Sequence, residues 1–387
     1  MTAALELAKT LDRQVEVVVL DPRPVFTFIP SLIWVPFGLR DAGDISIELA
    51  PMYAKKGVTF INDAAEAIDL DARTITTAGG MELSYDRLLM ATGPRLAFDE
   101  VPGLGPDGGH TVSVCNIEHA LDARTKWEQF LENPGPVVVG TAQGGSCFGA
   151  SYEFAFNAAH QIEKAGLTDV APVTFITAEP FLGHFGLGGI GKSEAMAEKF
   201  FDKLGMEGIA NSAIKEVRDG EIELEGGRVL PFAYSMIVPP FTGVDLVRET
   251  DGLGNARGFI PVDDEFKHPE HEEVYAAGVD VAIAPVGETL VPAGVPKTGY
   301  MSEAMAKVAA ENIAADFGLG ERRSVPLDQM SAVCILDGGN TGMIFKADHV
   351  LGDPEHSHIM AGPQAHWAKL AFEKTFLASR RRGMTIP

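Results

Sequence analysis

The most informative stretch of this sequence is Pro136-Val-Val-Val-Gly-Thr-Ala-Gln-Gly-Gly-Ser-Cys-Phe-Gly149. Its three consecutive valines predict a buried parallel strand, and the glycines that follow predict a tight turn over 141–149. Residues 152–164 then predict a helix, and Val173-Thr-Phe-Ile-Thr177 predicts the next strand. Strand, glycine turn, helix and strand make a βαβ unit, which indicates a Rossmann-like, dinucleotide-binding type of domain.

A similar pattern opens the chain. Glu16-Val-Val-Val-Leu-Asp21 predicts a buried strand that ends in an acid, and residues 2–12 predict the helix before it. In a dinucleotide-binding unit such an acid bonds the ribose, so Asp21, with Pro22 and Arg23, is a candidate cofactor contact. The strand and Gly-x-Gly-x-x-Gly turn that should precede the helix are missing, and we expect about a dozen further residues upstream. An ordinary helix–strand pair is the alternative.

Later segments complete two such units. Residues 85–94 predict a buried strand that runs into a tight turn, residues 273–280 a late strand, and residues 300–317 a helix. Residues 58–61 and 73–77 predict strands of a small antiparallel layer. Two βαβ units in series, with a late strand returning to the first, predict a two-domain flavoprotein. The predicted boundaries are 1–105 and 256–325 for the two parts of the FAD-binding domain, 106–255 for the second domain, and 326–387 for a C-terminal region.

Composition excludes several classes of protein. The formal net charge of −23 argues against a nucleic-acid binder, whose surface should be basic. A hydrophobic content of 46% with 42 glycines suits a compact α/β protein. No stretch reaches the roughly 18 to 20 apolar residues that span a bilayer.

The three cysteines, Cys115, Cys147 and Cys334, lie at predicted turns or strand ends, where a thiol can be reached. Three cysteines cannot all pair within one chain. Cys147 and Cys334 suggest thiol–disulfide chemistry coupled to a flavin, and two buried structural cysteines are the alternative. If the following helix begins near Ser151, Glu153 lies in its first turn, close to the sulfur site, where it could relay protons.

Four segments carry a resemblance to a known family. They are Ser113-Val-Cys-Asn-Ile-Glu-His-Ala120, Gln143-Gly-Gly-Ser-Cys-Phe-Gly-Ala-Ser-Tyr-Glu-Phe154, Val295-Pro-Lys-Thr-Gly-Tyr-Met301 and His366-Trp-Ala-Lys-Leu-Ala-Phe-Glu-Lys374. The chain resembles the sulfide:quinone oxidoreductases, flavin-dependent relatives of disulfide reductases, over essentially its whole length. The resemblance implies an α/β fold with two Rossmann-like domains of the glutathione-reductase type and a C-terminal membrane-binding segment.

For the sulfur chemistry, the resemblance implies that Cys147 holds the growing sulfur chain. It implies that Cys334 passes two electrons to the flavin. Cys115 matches a third cysteine, which in some relatives binds the flavin covalently and in others assists sulfur release. His119 and His184 match histidines near the sulfide and quinone pockets, although a lone histidine can equally be structural.

For the cofactor, the implied ligand is FAD and no metal site is predicted. The candidate contacts, besides Asp21, Pro22 and Arg23, are Ala91, Thr92, Gly93, Pro94, Gly278, Asp280, Lys297, Thr298 and Gly299. The Lys297 charge and the helix N-terminus beside it can stabilise an anionic flavin edge. The glycine spacing in 140–149 does not fit Gly-x-Gly-x-x-Gly, so this turn is predicted to have lost nicotinamide binding.

The C-terminal segment 363–382 combines Trp367, Leu370, Phe372, Phe376 and Leu377 with Lys369, Lys374 and Arg380-Arg-Arg382. A basic aromatic amphipathic helix on an acidic protein predicts an interfacial membrane anchor whose arginines meet anionic lipids. An ordinary docking helix is the alternative. The resemblance implies that Phe372 and Lys369 contact the quinone.

These observations together predict a peripheral protein of the prokaryotic plasma membrane that oxidises sulfide to polysulfide or sulfur and reduces a membrane quinone. The flavin subunit of a flavocytochrome c type sulfide dehydrogenase and a type II NADH dehydrogenase remain alternatives. A non-catalytic persulfide-binding or redox-sensing protein is a third. The predicted partners are sulfide, quinone and the membrane surface but no nucleic acid, and a homo-oligomer is left open.

Overall fold

The computed structural model describes residues 1–352 and 356–385 of the 387-residue chain. Its first region runs from the N-terminus to residue 105. The helices are α1 (Thr2–Leu11) and α2 (Leu49–Ala54), and the strands are β1 (Val18–Leu20), β2 (Val25–Thr27), β3 (Ser46–Glu48), β4 (Thr59–Ile61), β5 (Ala65–Asp69), β6 (Thr74–Thr77), β7 (Glu82–Ser84), β8 (Leu88–Met90) and β9 (Arg95–Leu96).

The strands of this region form small separate sheets. β1 pairs in parallel with β4, so the prediction that residues 58–61 belong to an antiparallel layer was wrong. Residues 73–77 do belong to one, because β6 pairs antiparallel with both β5 and β7. Strand β4 joins β1 because the helix α2 crossover before it returns the chain in the same direction.

The second region contains the unit that the valine run predicts. Its helices are α3 (Ile117–Glu132), α4 (Phe148–Lys164), α5 (Ser193–Leu204) and α6 (Asp245–Glu249), and its strands are β10 (Val137–Thr141), β11 (Val173–Thr177), β12 (Glu207–Ile209), β13 (Ile214–Arg218), β14 (Glu221–Leu224), β15 (Val229–Pro231), β16 (Tyr234–Val238) and β17 (Phe241–Thr242). A four-stranded parallel sheet has the order β12-β11-β10-β16.

Strand β10 lies inside that sheet, and its valines are at most 1% exposed, as a strand covered on both faces requires. Helix α4 begins at Phe148, four residues before the predicted start at Tyr152. The glycine turn is therefore shorter than predicted, since Phe148 and Gly149 already belong to the helix. Strands β13, β14 and β15 form an antiparallel sheet, and β17 pairs with β9 of the first region.

The chain then returns to the first region. Strand β18 (Val274–Ala276) pairs in parallel with β8, which confirms the predicted late strand but shortens it. Residues 278–280 form a 3-10 turn instead, because Gly278 has a φ of +89°, which a strand does not allow. Helix α7 (Gly299–Asp316) follows and packs on α1.

The pairs β1–β4 and β8–β18 belong to different sheets.

The C-terminal region consists of a three-stranded antiparallel sheet and one long helix. The strands are β19 (Ala332–Asp337), β20 (Gly342–Ala347) and β21 (Ser357–Ala361), and the helix is α8 (Pro363–Arg381). Helix α8 packs on β19 and β20, and Phe376 and Leu377 enter a hydrophobic core shared with α4 and β10. Among the described residues, no helix is both long enough and apolar enough to cross a membrane.

Part of the membrane-anchor prediction is wrong, because Phe376, Leu377 and Arg380 are buried. Arg380 does not face lipid, because its side chain is fully buried and pairs with Glu303 of α7. It also donates to the carbonyl oxygen of Met384 at 2.8 Å and to Thr2 Oγ1 at 3.2 Å. The arginine thus ties α8 to α1 and α7.

Candidate active site

Cys147 occupies the N-cap position of α4, directly after strand β10 and its turn. A helix N-terminus favours a thiolate, but here burial is the larger effect and raises the pKa of Cys147. The nearby charge of Glu153 raises it further. The free thiol of Cys147 is therefore neutral until a base removes its proton.

Cys334 comes from the other end of the sequence, in the middle of β19, and its sulfur lies over the first turn of α4. A Cβ atom placed on Gly149 would be 3.5 Å from Cys334 Sγ and 3.4 Å from Leu336 Cδ2. Burial raises the pKa of Cys334 to about 12; Glu153 and Cys147 add to the shift and Lys369 opposes it. The structure therefore brings Cys334 and Cys147 together around the start of one helix.

Cys115 also interacts with Cys147. Burial raises its pKa to about 12, with Cys147 contributing and a hydrogen bond with Ser113 opposing. All three cysteines are free thiols, each partly buried. Cys147 interacts electrostatically with both of the others, so the three predicted cysteines form one thiol cluster.

Glu153 lies beside this cluster, but not where the sequence placed it. Because α4 begins at Phe148, Glu153 is in the second turn of the helix instead of the first. Its carboxylate pairs with Lys369 of α8 and accepts the Asp337 amide at 3.2 Å. Burial raises the pKa of Glu153 to about 7, against the opposing charge of Lys369. A carboxyl group with such a pKa can both accept and release a proton near neutrality.

Sequence reasoning missed a second buried carboxylate, that of Asp337. It is fully buried at the end of β19. Trp34 Nε1 donates to its Oδ2 at 2.8 Å, and His366 Nδ1 lies 2.7 Å from its Oδ1. Asn157 of α4 donates to its carbonyl oxygen at 2.8 Å. Asp337 thus joins β19, α4 and α8 around the thiol cluster.

Part of this network could have been predicted from the sequence, by applying the helical period to the residues of α8. His366, Lys369 and Glu373 are spaced i, i+3 and i+7, so they share one helix face. That face is the buried one, since Lys369 and Glu373 are 2% and 5% exposed. The contacts to Asp337 and Glu153 have no such signal, because they join residues far apart in sequence.

The two predicted quinone contacts differ in surroundings. Lys369 is turned inward to Glu153, with Nζ 5.1 Å from the ring centroid of Trp34. Phe372 is 42% exposed and packs on Phe28 at a centroid distance of 5.6 Å. Beneath it Glu373 is held by Arg40, with Nη2–Oε1 at 2.9 Å.

The two predicted histidines lie in loops or at a helix start. His119 Nε2 is 3.5 Å from Asp107 Oδ2, and its ring packs edge-on against Phe98. His184 accepts the Gly186 amide at 3.1 Å, and burial lowers its pKa. Neither histidine is among the groups that shift the pKa of a cysteine, so their sulfide and quinone roles stay predictions.

The predicted flavin contacts at two strand ends do meet. Thr92, after β8, donates its amide to Asp280 Oδ2 at 2.6 Å, while Asp280 Oδ1 is buried without a hydrogen-bond partner. Burial raises the pKa of Asp280 to about 6. Lys297 donates to the Val279 carbonyl oxygen at 2.9 Å, and burial lowers its pKa to about 8. Thr298 caps α7 next to Gly299.

An unpartnered buried carboxylate oxygen next to a cation fits a ligand that carries hydroxyl groups and an electron-rich ring. The residues at 91–94, 278–280 and 297–299 therefore fit that part of FAD. On the adenosine side, Asp21 follows β1 and accepts the Arg23 amide at 2.9 Å, while Arg23 itself is exposed. This position fits the ribose contact expected of Asp21.

The glycine turn of the second domain is already engaged by protein. Gly144 donates its amide to the Pro292 carbonyl oxygen at 2.6 Å, and the Gly294 amide donates to the Gly145 carbonyl oxygen at 2.9 Å. The Gln143 side chain exchanges two hydrogen bonds of 2.9 Å with the backbone of Ile214. A pyrophosphate would have to displace the 292–294 segment to reach this turn.

The fold and the thiol cluster together define the class to which this protein belongs. Residues 1–307 match the family described as pyridine nucleotide-disulphide oxidoreductase, and the chain belongs to it. Within that class the chain is a member of the sulfide-quinone reductases. It is 38% identical to the sulfide-quinone reductase of Aquifex aeolicus over 385 residues, which cover 98% of this chain and 88% of that one.

Two further comparisons agree. The X-ray structure of the sulfide:quinone oxidoreductase from Aquifex aeolicus superposes with a TM-score of 0.94 at 37% identity, covering 100% of this chain and 90% of the other. The mitochondrial sulfide:quinone oxidoreductase of Dictyostelium discoideum is 21% identical over 305 residues, which are 75% of this chain and 64% of that one. The predicted family and α/β fold are confirmed.

Proposed function

We propose that this protein oxidises sulfide to polysulfide or sulfur and reduces a membrane quinone, with FAD as its cofactor. The observation that carries the proposal is the cluster of Cys147, Cys334 and Glu153 on β19 and α4. Residues from distant parts of the chain meet there, and burying their titratable groups costs free energy. Such a cost is typical of a functional site.

The sulfur step is a thiol–disulfide exchange. In the oxidised protein Cys147 and Cys334 share a disulfide or sulfur bridge, and HS⁻ attacks the sulfur of Cys147. A new S–S bond forms on Cys147, the bond to Cys334 breaks, and Cys334 leaves as a thiolate. The proton of HS⁻ passes to Glu153. The electron pair left on Cys334 is the pair that finally reduces the quinone.

Glu153 and Lys369 set the charge of this step. A thiolate at Cys334 is disfavoured by burial and by an ionised Glu153, and favoured by Lys369. When Glu153 takes up a proton, its negative charge disappears while Lys369 stays beside the thiolate. Proton uptake by Glu153 therefore stabilises the leaving group at the moment it forms.

FAD would supply the two-electron link between the thiol pair and the quinone. Asp21 with Pro22 and Arg23, residues 91–94, Gly278, Asp280 and 297–299 would hold it. The occupied glycine turn at 144–145 supports a second domain that does not use NADH, which disfavours a type II NADH dehydrogenase. For Cys115, the electrostatic interaction with Cys147 supports a role in sulfur release over a covalent flavin link.

We place the quinone at α8, next to Phe372, with Lys369 behind it. Several large apolar side chains on or near this helix are exposed, namely Trp367 at 67%, Phe372 at 42%, Met360 at 48% and Ile29 at 52%. This apolar surface supports peripheral attachment to the prokaryotic plasma membrane. Arg381 and Arg382, which are exposed, remain candidates for lipid head groups.

The experiment measures sulfide-dependent quinone reduction in the flavin-loaded protein and in three single variants, Cys147→Ala, Cys334→Ala and Cys115→Ala. We expect losses of at least about 10³-fold for the first two, because neither exchange partner has a substitute. Cys115→Ala should keep partial activity. All denatured proteins should release their flavin if it is not covalently held by Cys115.

Addition of NADH instead of sulfide provides the contrast, and it should not bleach the flavin. Rapid bleaching by NADH, with normal activity in Cys147→Ala and Cys334→Ala, would reverse the proposal. Flavin that stays on the denatured wild-type chain but not on Cys115→Ala would assign the covalent link to Cys115.

A further inference from the structure

The buried network around the thiol cluster reaches solvent at His366. This side chain is 23% exposed, whereas the Asp337 carboxylate that it contacts is completely buried. On the protein side its Nδ1 lies 2.7 Å from Asp337 Oδ1. Among the described residues Nε2 has no hydrogen-bond partner, so one ring nitrogen faces the network and the other is left for water.

The two carboxyl groups inside the network are neighbours. The Asp337 amide donates to Glu153 Oε1 at 3.2 Å, and the charge of Asp337 raises the pKa of Glu153. Helix α8 sends His366 to one carboxylate and Lys369, one turn later, to the other. A series of titratable groups therefore runs from the thiols through Glu153 and Asp337 to His366, in which Glu153 and Asp337 are linked by the Asp337 backbone amide and by the interaction of their charges.

The proposed reaction requires such a connection. Oxidation of HS⁻ to the level of elemental sulfur releases two electrons and one proton, whereas reduction of a quinone to a quinol consumes two electrons and two protons. The balance is HS⁻ + quinone + H⁺ giving sulfur and quinol. The sulfur half-reaction leaves the proton of HS⁻ on Glu153, from where it can pass to the quinone beside Lys369. The quinone needs a second proton, which must come from water and cross the buried carboxyl groups.

We propose that His366 and Asp337 form the proton port of the thiol site, a role that rests on the proposed function. His366 takes a proton from water at Nε2 and releases one from Nδ1 to Asp337. Because the Asp337 carboxylate contacts His366 and Trp34 and meets Glu153 only through its backbone amide, a bridging water carries the proton on to Glu153, which supplies the quinone through Lys369. Trp34 holds the second oxygen of Asp337, so that the first stays directed at His366.

The charged and titratable groups that face this route come from every element packed around it. They are Cys334 on β19, Glu153 on α4, Lys369 on α8, and Arg40, whose guanidinium carbon lies 4.7 Å from the Trp34 ring centroid. Arg40 is paired with Glu373 of α8 at 2.9 Å, which leaves Lys369 beside the two carboxylates Glu153 and Asp337. A proton that enters at His366 therefore reduces the negative charge of the buried network.

The chain contains a matched control. His356 Nδ1 lies 3.0 Å from Asp348 Oδ2, the same pairing as His366 with Asp337, but the two side chains are 73% and 32% exposed. The pair lies at the opposite end of the sheet β19–β21, because Asp348 follows β20 and His356 precedes β21. It shares the chemistry of the port without a path to the thiols.

The experiment compares His366→Ala, His366→Gln and His356→Ala in the flavin-loaded protein, with sulfide and a soluble quinone. For both His366 variants we expect kcat to fall at least about tenfold and the solvent deuterium isotope effect on kcat to rise. The KM values for sulfide and quinone should stay within about twofold. Added imidazole should restore the rate of His366→Ala in proportion to its concentration, and His356→Ala should behave as wild type throughout.

Unchanged kcat and isotope effect in folded His366→Ala would overturn the port while leaving the proposed function intact. So would a loss of rate that imidazole does not restore, because that result would indicate a structural role. Flavin-loaded wild-type protein without sulfide-dependent quinone reduction would remove both proposals.

Discussion

Each end of the C-terminal sheet β19–β21 carries an aspartate–histidine pair, but one pair is largely buried and the other is exposed to solvent. At one end Asp337 is fully buried between Trp34 and His366, next to Glu153. At the other end Asp348 and His356 meet in contact with water. Burial raises the pKa of Glu153 at the first end, whereas the His356 backbone amide and side chain lower the pKa of Asp348 at the second.

The difference shows how burial turns an ordinary ion pair into part of a reactive site. An exposed carboxylate is stabilised by any nearby donor, and its proton is lost at acidic pH. Glu153, at the buried end, is costly to ionise even next to Lys369, so its proton is retained towards neutrality. A carboxyl group of this kind can exchange protons with substrate at the pH of the cell.

Among variants that compare the two ends of the sheet, the largest effect is expected for Glu153→Gln, which removes the proton acceptor but keeps the side-chain size. We expect sulfide-dependent quinone reduction to fall about 10²- to 10⁴-fold. Steady-state rates against pH, with flavin content as the control for folding, check this. A variant with full activity and an unchanged pH profile would show that the buried end does not handle the proton.

The same variant has an unusual effect on stability. The pKa of Glu153 is raised from 4.5 to about 7 in the folded protein, so the folded state holds a proton that the unfolded state has released. The stability that protonated Glu153 gives the folded wild-type protein is fully present below pH 4.5, its ordinary pKa. It is lost as the pH rises through about 7, its pKa in the folded protein. We therefore expect the melting temperature of Glu153→Gln, relative to wild type, to rise between about pH 5 and about pH 8.

Trp34→Phe should have an intermediate effect, confined to the buried end. The substitution leaves Asp337 Oδ2 without its donor, and losing a hydrogen bond to a buried charge costs about 1 to 3 kcal/mol. Chemical denaturation measures the loss. Trp367→Phe is the matched control, since this residue is 67% exposed, and its change should stay within about 0.5 kcal/mol. Equal losses in both variants would contradict the role given to Trp34.

Asp348→Asn should have the smallest effect, at the exposed end. The pKa of Asp348 is lowered in the folded protein. Its contribution to stability is therefore present at any pH above the ordinary pKa of a carboxyl group, and it is lost as the pH falls through the lowered pKa of the folded protein. Activity and melting temperature at neutral pH should match wild type, and only the acid limb of a melting-temperature profile should move. A loss of activity comparable to that of the His366 variants would erase the contrast between the two ends.

The parts of the site that the sequence predicted are those with local signals. The valine run before 141–149 predicted β10, and Cys147 follows it at the start of α4. The cofactor-side residues Thr92 and Asp280 were predicted at strand ends, and the structure joins them. The helix start at Phe148 was missed because Gly149 extended the predicted glycine turn past it.

Sequence periodicity and composition by themselves determined the parallel unit around β10, the acidic surface charge and, through local motifs, the family and the candidate thiols. Local backbone preference and alternation of apolar residues carry that information. Tertiary structure alone decided that Lys369 meets Glu153 across 216 residues, that Asp337 lies between Trp34 and His366, and that Arg380 is buried. Those contacts depend on how β19, α4 and α8 pack, and the burial that results, not the residue types, determines which groups hold their protons.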